Sequence, residues 1–158
     1  MDSVRLKLIF SFFITVSELI HLVRNIYSFR APIPIMKNVI TWFDIPTEDF
    51  DRAVKFYSDI LGNEIRVDTF MGRKLGFFPM EGMEGVSGDL VPPGLGNKPS
   101  ANGTRVYLSC EGIIDEVIGR IEKSGGKIVN PKTKIGDMGW IAMIMDTEGN
   151  MVGLHSFK

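Results

Sequence analysis

The side chains of this sequence that could carry out chemistry stand at alternate positions in three short stretches rich in β-branched and aromatic residues. The three sets are Trp42 and Asp44, then Arg105, Tyr107 and Ser109, and finally Met151 and His155. Residues two apart in a β-strand share a face, so each set would point to one side of its strand. Aromatic surface that carries a few polar groups is the usual make-up of a small-molecule pocket. We therefore predict that these residues line a ligand-binding cleft.

Each polar or aromatic member of this set has a structural alternative. Arg105 could bind a carboxylate or phosphate of a ligand through its guanidinium group, or it could pair with Asp44 across the sheet. His155 titrates near neutral pH and could act as a general base, or it could hydrogen-bond to nearby backbone. Trp42 and Trp140 could stack on a ligand or serve only in packing. The sequence therefore assigns no catalytic residue.

The intervening positions of the same stretches are apolar, which predicts that the other face of each strand belongs to the core. These core positions are Phe43 and Ile45, then Val106, Leu108 and Cys110, and finally Val152 and Leu154. Strands are predicted over residues 38–45, 104–110 and 151–156. A core on one face leaves the opposite face free to form a cleft.

Between these strands, the pattern predicts a first helix and three more strands. Phe50, Val54, Tyr57 and Leu61 recur at helical spacing, and Gly62 follows where a left-handed residue ends a helix. Thr47 or Asp49 could cap the start of this helix. Strands are predicted at 64–70, 74–78 and 86–91, and the Pro/Gly-rich segment 92–103 reads as a linker.

The same order of elements then repeats at an offset of about 63 residues, which places Gly62 on Gly125 and Val54 on Val117. Ile114, Val117 or Ile118, and Ile121 predict the second helix. Strands follow at 127–130, where Pro131 indicates a sheet edge, and at 140–145, with a turn at 146–150 before the last strand. The sequence predicts an α+β fold of two βαβββ modules, 36–91 and 104–158. Together they would form a curved mixed sheet with a cleft on its open face and helices on the other.

Three segments carry a resemblance to a known family: WFDIPTEDFDRAVKFYSDILG (42–62), SGGKIVNPKTKIGDMGWIAMIMDTEGN (124–150) and MVGLHSF (151–157). They resemble the vicinal-oxygen-chelate superfamily, in its glyoxalase/bleomycin-resistance/dioxygenase-like branch. The resemblance implies a small-molecule cleft. In metal-dependent members, His, Gln or Glu side chains on equivalent strands hold a divalent ion that acts as a Lewis acid.

The positions that hold metal ligands in such members fall on Trp42, Arg105 and Gly153, whose side chains cannot bind a divalent ion. Gly153 is expected to leave room where metal enzymes carry a glutamate. No cofactor is therefore expected. A two-residue shift in alignment would instead offer Asp44, Asp89 and His155 as a fallback metal site.

Three functions follow from these observations. The first is a small-molecule-binding protein without the usual divalent metal. The second is a metal-dependent lyase or isomerase, like lactoylglutathione lyase, or a dioxygenase; whether the chain is an enzyme is left open. The third is a dimeric interaction module. Soft side chains among glycines in 70–85, including Met71 and Met83, suit either a pocket lid or a homodimer contact, and the resemblance favours a homodimer.

Composition excludes one class of partner. The net charge is −1 and there is no basic, aromatic-rich run, so nucleic acid is not an expected partner. The single cysteine, Cys110, cannot form an internal disulfide, and a cytoplasmic location is predicted.

Residues 1–35 form an apolar extension that precedes the predicted domain 36–158. The apolar run 8–17 is shorter than the roughly 20 residues of a transmembrane helix. The extension could be a weak signal or membrane-surface anchor, a docking helix, or upstream sequence before a working start at Met36, which is the interpretation we favour. Membrane contact is expected only if this segment belongs to the working protein.

Overall fold

The computed structural model describes residues 15–20, 38–82, 85–94 and 97–158. The chain divides into two units between residues 37 and 38. In the first unit, residues 16–20 are helical. Thr15 and Glu18 form a capping box: the Glu18 N–H donates to Thr15 Oγ1 at 3.2 Å, and the Thr15 N–H donates to the Glu18 carboxylate at 2.9 Å. The other predictions for 1–35, and that for Met83, lie outside the described residues. Within these ranges, no helix has the length and apolar character needed to cross a membrane.

The first module of the second unit forms a four-stranded mixed sheet with one helix. Its elements are β1 (Trp42–Pro46), α1 (Phe50–Leu61), β2 (Arg66–Phe70), β3 (Arg73–Phe77) and β4 (Ser87–Val91). The strand order is β1-β4-β3-β2. β1 pairs with β4 in parallel, whereas the other neighbours are antiparallel.

The second module repeats this arrangement. Its elements are β5 (Tyr107–Ser109), α2 (Ile114–Ile121), β6 (Lys127–Lys134), a 3₁₀ turn (Gly136–Met138), β7 (Trp140–Met145) and β8 (Met151–Ser156). The strand order is β5-β8-β7-β6, again with a parallel first pair. The predicted α+β class with two βαβββ modules is confirmed. Pro131 lies in the edge strand β6, as predicted.

The first strand of each module is shorter than its sequence pattern indicates. β1 begins at Trp42 rather than at residue 38, because its partner β4 begins at Ser87, which lies opposite Trp42. β5 covers only Tyr107 to Ser109 of the predicted 104–110. A β-branched run becomes a strand only where a neighbour supplies hydrogen bonds, and the sequence does not show where that neighbour ends.

Helix α1 begins and ends as predicted, but its buried face is rotated. Asp49 caps the start by accepting a hydrogen bond from the Arg52 N–H at 3.0 Å, and Gly62 ends the helix at φ 67°. The fully buried stripe is Ala53, Phe56, Tyr57 and Ile60. The predicted residues Phe50, Val54 and Leu61 are only partly buried at its margin. The helix packs against both its own sheet and α2, so a wider face is covered than one stripe describes.

Helix α2 buries Ile114, Val117 and Ile121, as the pattern predicts. It ends in a Schellman arrangement: the Gly126 N–H donates to the Ile121 carbonyl at 3.0 Å and the Gly125 N–H to the Glu122 carbonyl at 3.2 Å. Gly125, at φ 93°, is therefore the left-handed residue that ends this helix. This confirms its predicted role as the counterpart of Gly62.

One apolar core joins the two modules. It contains Ile45 and Leu90 from the first sheet, Leu108 and Leu154 from the second, and the buried faces of both helices. Phe43, Val106, Val152 and Cys110 also contribute to it. The predicted core faces of β1, β5 and β8 are thus confirmed, and each opposite face is left for the candidate site.

Candidate functional site

The strand register pairs the polar residues of the open faces. On the first sheet, Asp44 of β1 lies opposite Asp89 of β4. On the second sheet, Tyr107 of β5 lies opposite Gly153 of β8. The 63-residue offset places Asp44 on Tyr107. Equivalent sites of the two modules therefore hold two carboxyl groups in one case and an aromatic ring beside a glycine in the other.

A cavity of about 510 Å³ lies on the open face of the first sheet. Its described lining is mixed apolar and charged: Asp44, Phe70, Met71, Arg73, Leu75, Asp89, Val91 and Asn97. The strand residues in this set alternate with residues of the core face, such as Ile45 and Leu90. Phe70, the last residue of β2, and Met71, in the turn that follows, are 59% and 87% exposed and form one wall. This placement agrees with the pocket-lid alternative for the soft residues around position 70.

Asp89 is the least ordinary residue of the cavity. It is 5% exposed. In the described part of the chain, its Oδ1 is the one buried side-chain oxygen or nitrogen without a hydrogen-bond partner. Burial raises the pKa of Asp89 to about 6, and the neighbouring Asp44 carboxyl adds to the rise, whereas the Trp42 side chain opposes it. Asp89 can therefore exchange a proton near neutral pH.

The rest of the open face beside this pair is aromatic. The rings of Trp42 and Phe77 meet edge to face, with centroids 6.2 Å apart. The Arg66 guanidinium lies 5.4 Å from the centroid of Phe77 and 3.8 Å from the carboxylate of Asp68. Trp42 itself is 43% exposed. The charge of Arg66 is thus already matched on the surface, and Arg73 is the cation that lines the cavity.

The remaining predicted cleft residues are distributed over other parts of the surface. Tyr107 and Ser109 line a cavity of about 320 Å³ with residues that include Phe43. Arg105 and Met151 line another of about 270 Å³. No ion pair joins Arg105 to Asp44, although both lie in the described ranges. The structure therefore brings Asp44 and Asp89 together but does not gather the predicted set into one pocket.

His155 hydrogen-bonds to the backbone, which is the structural alternative to a role as a general base. Its Nε2 lies 2.8 Å from the carbonyl oxygen of Met138, which can only accept, so Nε2 carries the proton in this contact. The ring also packs edge to face on Phe157 at 4.7 Å. Trp140 packs against the core, and the Lys132 ammonium lies 4.8 Å from its ring centroid.

A further cavity, of about 410 Å³, lies between the end of β1 and the start of β8. Asp44, Met151 and linker residues such as Lys98 and Ser100 line it. Asp44 therefore borders two cavities, one on the first sheet and one where the modules meet.

The turn 146–150, which joins β7 to β8, connects the two modules. The Glu148 side chain has no exposed surface, although it belongs to a turn. Its carboxylate accepts hydrogen bonds from Arg52 at 2.8 and 2.9 Å, and from the N–H groups of Glu48 at 3.0 Å and Asp49 at 2.8 Å. An acid of the second module therefore binds the free N–H groups just before α1 of the first.

Asp146 and Asn150 complete this connection. Asp146 accepts from the Tyr57 hydroxyl at 2.8 Å and from the Asn150 N–H at 2.8 Å. The Asn150 amide donates to the Pro46 carbonyl at 2.9 Å, and its Oδ1 accepts from the Ser100 N–H at 3.1 Å. The sequence pattern indicated only a hairpin turn here. The structure shows that the polar residues of this turn hold β1, α1 and the linker in place.

The residues present do not fit the divalent metal site of metal-dependent relatives. In the described ranges, no group of three His, Cys, Asp or Glu side chains could hold a metal ion. Asp44 and Asp89 are adjacent, but His155 belongs to the other sheet and bonds to Met138. The expected room at Gly153 is absent, because a Cβ there would overlap the ring of Tyr107.

Comparison with known families agrees with this architecture. The family model of the Glyoxalase/Bleomycin resistance protein/Dioxygenase superfamily matches residues 39–154, which is most of the chain. The chain belongs to this superfamily. The match covers both modules and the linker between them. The suspected resemblance is confirmed.

The protein CFP32 of Mycobacterium tuberculosis, whose name places it among the glyoxylases, is 30% identical over 118 residues. That match covers 72% of this chain and 43% of CFP32, so the chain spans less than half of this relative.

Solved structures share this fold. A glyoxalase/bleomycin resistance protein from Albidiferax ferrireducens T118 has a TM-score of 0.59 and 17% identity, over 75% of this chain and 99% of that one. TnmS3, an antibiotic binding protein from Streptomyces sp. CB03234, has a TM-score of 0.58 and 22% identity, over 78% and 98% of the two chains. These likenesses concern the fold.

Sequence reasoning missed several residues of the cavity. Leu75 and Val91 line it but look like ordinary strand residues. The sequence predicts Asp89 only as a fallback metal ligand. A usable signal was present: Asp89 stands between Gly88 and Leu90 in a short apolar strand, where a charged residue is costly unless it has a purpose.

Proposed function

We propose that this chain binds a small organic molecule in the cavity on the open face of its first sheet, without using a divalent metal. The observation that carries the proposal is the cavity of about 510 Å³, in which apolar walls surround two adjacent carboxyl groups. Ligand pockets commonly have this size and combine apolar walls with a few fixed polar groups.

The lining suits a compact, partly apolar ligand. Phe70 at the end of β2 and Met71 in the following turn are exposed, so they could adjust to the shape of a ligand. Leu75 and Val91 stand on paired strands and provide a fixed floor. TnmS3, a solved protein of the same fold, is an antibiotic binding protein, which supports binding of this kind.

The predicted cleft residues outside this cavity would contact only a ligand that extends beyond it. Met151 could contact a ligand that extends from Asp44 into the adjoining cavity. Arg105, Tyr107, Ser109 and His155 would be reached only by a larger ligand or from the cleft of a second subunit. A homodimer and a cytoplasmic location are part of the proposal.

A ligand screen on the full chain tests the proposal. The protein would be dialysed against a chelator and screened by thermal shift, with hits measured by calorimetry. A ligand that binds only the folded chain raises its stability by about 2.7 kcal/mol at 100 times its Kd. Leu75→Trp would fill the cavity and abolish binding. Val67→Trp is the matched control, because Val67 is exposed on the neighbouring strand and is absent from the cavity lining.

Two outcomes would refute the proposal. The first is a set of ligands that bind Leu75→Trp as well as they bind the unaltered chain. The second is stoichiometric zinc, nickel, manganese or iron that survives purification and is needed for binding. The latter would favour a metal-dependent enzyme.

A second candidate is an enzyme of the same superfamily that moves a proton with its own carboxyl group. Asp89 favours it, because a carboxyl with a pKa of about 6 beside a cavity can exchange a proton near neutral pH. Turnover that is lost in Asp89→Asn, while ligand binding is retained, would distinguish this enzyme from a binding protein.

A further inference from the structure

We propose that the ligand of this cavity is an organic monocation whose ammonium group binds between Asp44 and Asp89. This inference rests on the proposed binding function and names the class of ligand. It depends on the position of one buried oxygen and on the charges that surround it.

The buried oxygen is Asp89 Oδ1. Asp89 is 5% exposed, and this oxygen has no hydrogen-bond partner among the described residues. A buried polar atom without a partner is costly, since it has lost water and gained nothing in return. Asp89 also lines the cavity, so a ligand seated there can donate the missing hydrogen bond. A ligand that carries an N–H or O–H donor would satisfy this oxygen when Asp89 is ionised.

The charges of the cavity select a cation among such donors. Two carboxyl groups, Asp44 on β1 and Asp89 on β4, line the cavity with one guanidinium, Arg73 on β3. On β2 and β3, Arg66 is already close to Asp68 and Phe77. When both carboxyls are ionised, the lining carries one net negative charge, which a monocation would balance.

The apolar part of the ligand has a matching surface. Phe70, Met71, Leu75 and Val91 surround the carboxyl pair. An aromatic or alkyl group on the ammonium could bury surface there while the charged end stays at the acids. A bare divalent ion would leave these walls unused, and the pair supplies fewer ligands than such an ion requires.

Proton linkage gives this inference a distinctive signature. Asp89 holds its proton up to about pH 6, partly because of Asp44. An ammonium group would replace that proton, so binding should release one proton at acidic pH. As the pH increases toward 6, the affinity for the cation should increase by up to about tenfold per pH unit. Above pH 7 the affinity should be constant.

The test uses three probes with one ring system. Naphthalen-2-ylmethylammonium is the cation, naphthalen-2-ylmethanol the neutral analogue and naphthalen-2-ylacetate the anion. Calorimetry on the full chain at pH 7.5 should show that the cation binds at least about tenfold more tightly than either analogue, as expected for a charged hydrogen bond. Asp89→Asn and Asp44→Asn should each remove most of this preference.

Asp68→Asn is the matched control. Asp68 is an exposed acid on the same face of the sheet, next to Arg66 rather than in the cavity lining. Its replacement should change the affinity by less than about twofold, which would show that general surface charge is not responsible. Thermal unfolding of each variant would confirm that it is folded.

Three results would overturn the inference. One is equal or tighter binding of the alcohol or the acetate, which would leave the proposed binding function intact. Another is a cation preference that survives both Asp44→Asn and Asp89→Asn. The third is that none of the three probes binds while the broader screen finds uncharged or anionic ligands. Failure of the whole screen would instead refute the binding function itself.

Discussion

Removal of the Glu148 side chain should destabilise the protein far more than removal of its partner Arg52. The Glu148 side chain has no exposed surface, whereas 49% of the Arg52 side chain is exposed. The carboxylate binds the guanidinium and also the N–H groups of residues 48 and 49. If it is lost, these two N–H groups lose a charged acceptor next to the start of a helix.

The magnitude follows from these contacts. A hydrogen bond to a charged group contributes about 1.5–3 kcal/mol, so the loss of two from Glu148→Ala should cost about 3–6 kcal/mol. Arg52→Ala should cost much less than Glu148→Ala, because its half-exposed charge can return to water while the carboxylate keeps its backbone donors. The loss of stability in Glu148→Gln should lie between those of the other two variants. Its amide oxygen can still accept hydrogen bonds from the backbone, but its NH₂ group cannot accept one from Arg52.

The free energies of unfolding of Glu148→Ala, Arg52→Ala and Glu148→Gln would be compared with that of the unaltered chain. They would be measured by urea unfolding at neutral pH, monitored by tryptophan fluorescence and circular dichroism. The free energy of unfolding of a small domain is often only about 5–15 kcal/mol, so Glu148→Ala could be unfolded even without urea. In that case the milder variant Glu148→Gln still provides a measurable value. Lys55→Ala is a surface control, because its pair with Asp59 is exposed on both sides. The reasoning is wrong if Arg52→Ala costs as much as Glu148→Ala, or if Glu148→Ala costs less than about 1 kcal/mol.

The same carboxylate should make stability depend on acid pH. Burial alone would raise the pKa of Glu148, but hydrogen bonds from Arg52, from the backbone and from Thr147 outweigh it and lower the pKa below its ordinary value of 4.5. The contribution of this carboxylate to stability is therefore fully present above pH 4.5. It is lost as the pH falls through the lower pKa that Glu148 has in the folded chain. Glu148→Gln should lose this dependence.

Four further predictions use other features of the structure. The pKa of Asp89 is about 6 when folded and 3.8 ordinarily, so stability should fall as the pH rises from 4 to 6, and Asp89→Asn should remove this fall in urea titrations. Gly88→Ala should cost about 3 kcal/mol, because a Cβ there would overlap the carbonyl oxygen of Phe43, which cannot move away. Tyr57→Phe should cost about 1–2 kcal/mol through the buried bond to Asp146, measured in the same assay. Cys110 is buried and its pKa is raised to about 11, mainly by burial, so a thiol reagent at pH 8 should label it only at the rate of unfolding.

Much of the fold could be predicted from local patterns. The caps Asp49 and Gly62, the glycine that ends α2, and the edge position of Pro131 each follow from the conformation or hydrogen bonding that one residue allows. The alternation of Phe43 and Ile45 with Trp42 and Asp44 correctly separated the two faces of β1. These features depend on neighbours within a few residues, so the sequence displays them directly.

The extent of the strands and the lining of the site could not be predicted in the same way. β1 begins where β4 begins, and the buried face of α1 depends on its contact with α2. The prediction of open space at Gly153 was wrong, because the ring of Tyr107, from another strand, occupies that space. In each case the deciding partner lies far away in the chain.

The sequence by itself determined that the chain has two similar modules and which face of β1, β5 and β8 enters the core. It also determined that Trp42, Arg105 and Gly153 occupy the ligand positions that the family resemblance implies. Only the tertiary structure decided that Asp44 and Asp89 meet, because they are joined by parallel pairing of β1 and β4. It likewise decided that Glu148 bonds to Arg52, 96 residues earlier. Local sequence governs backbone conformation and alternation, whereas the charge, burial and proton affinity of a site depend on groups that only folding brings together.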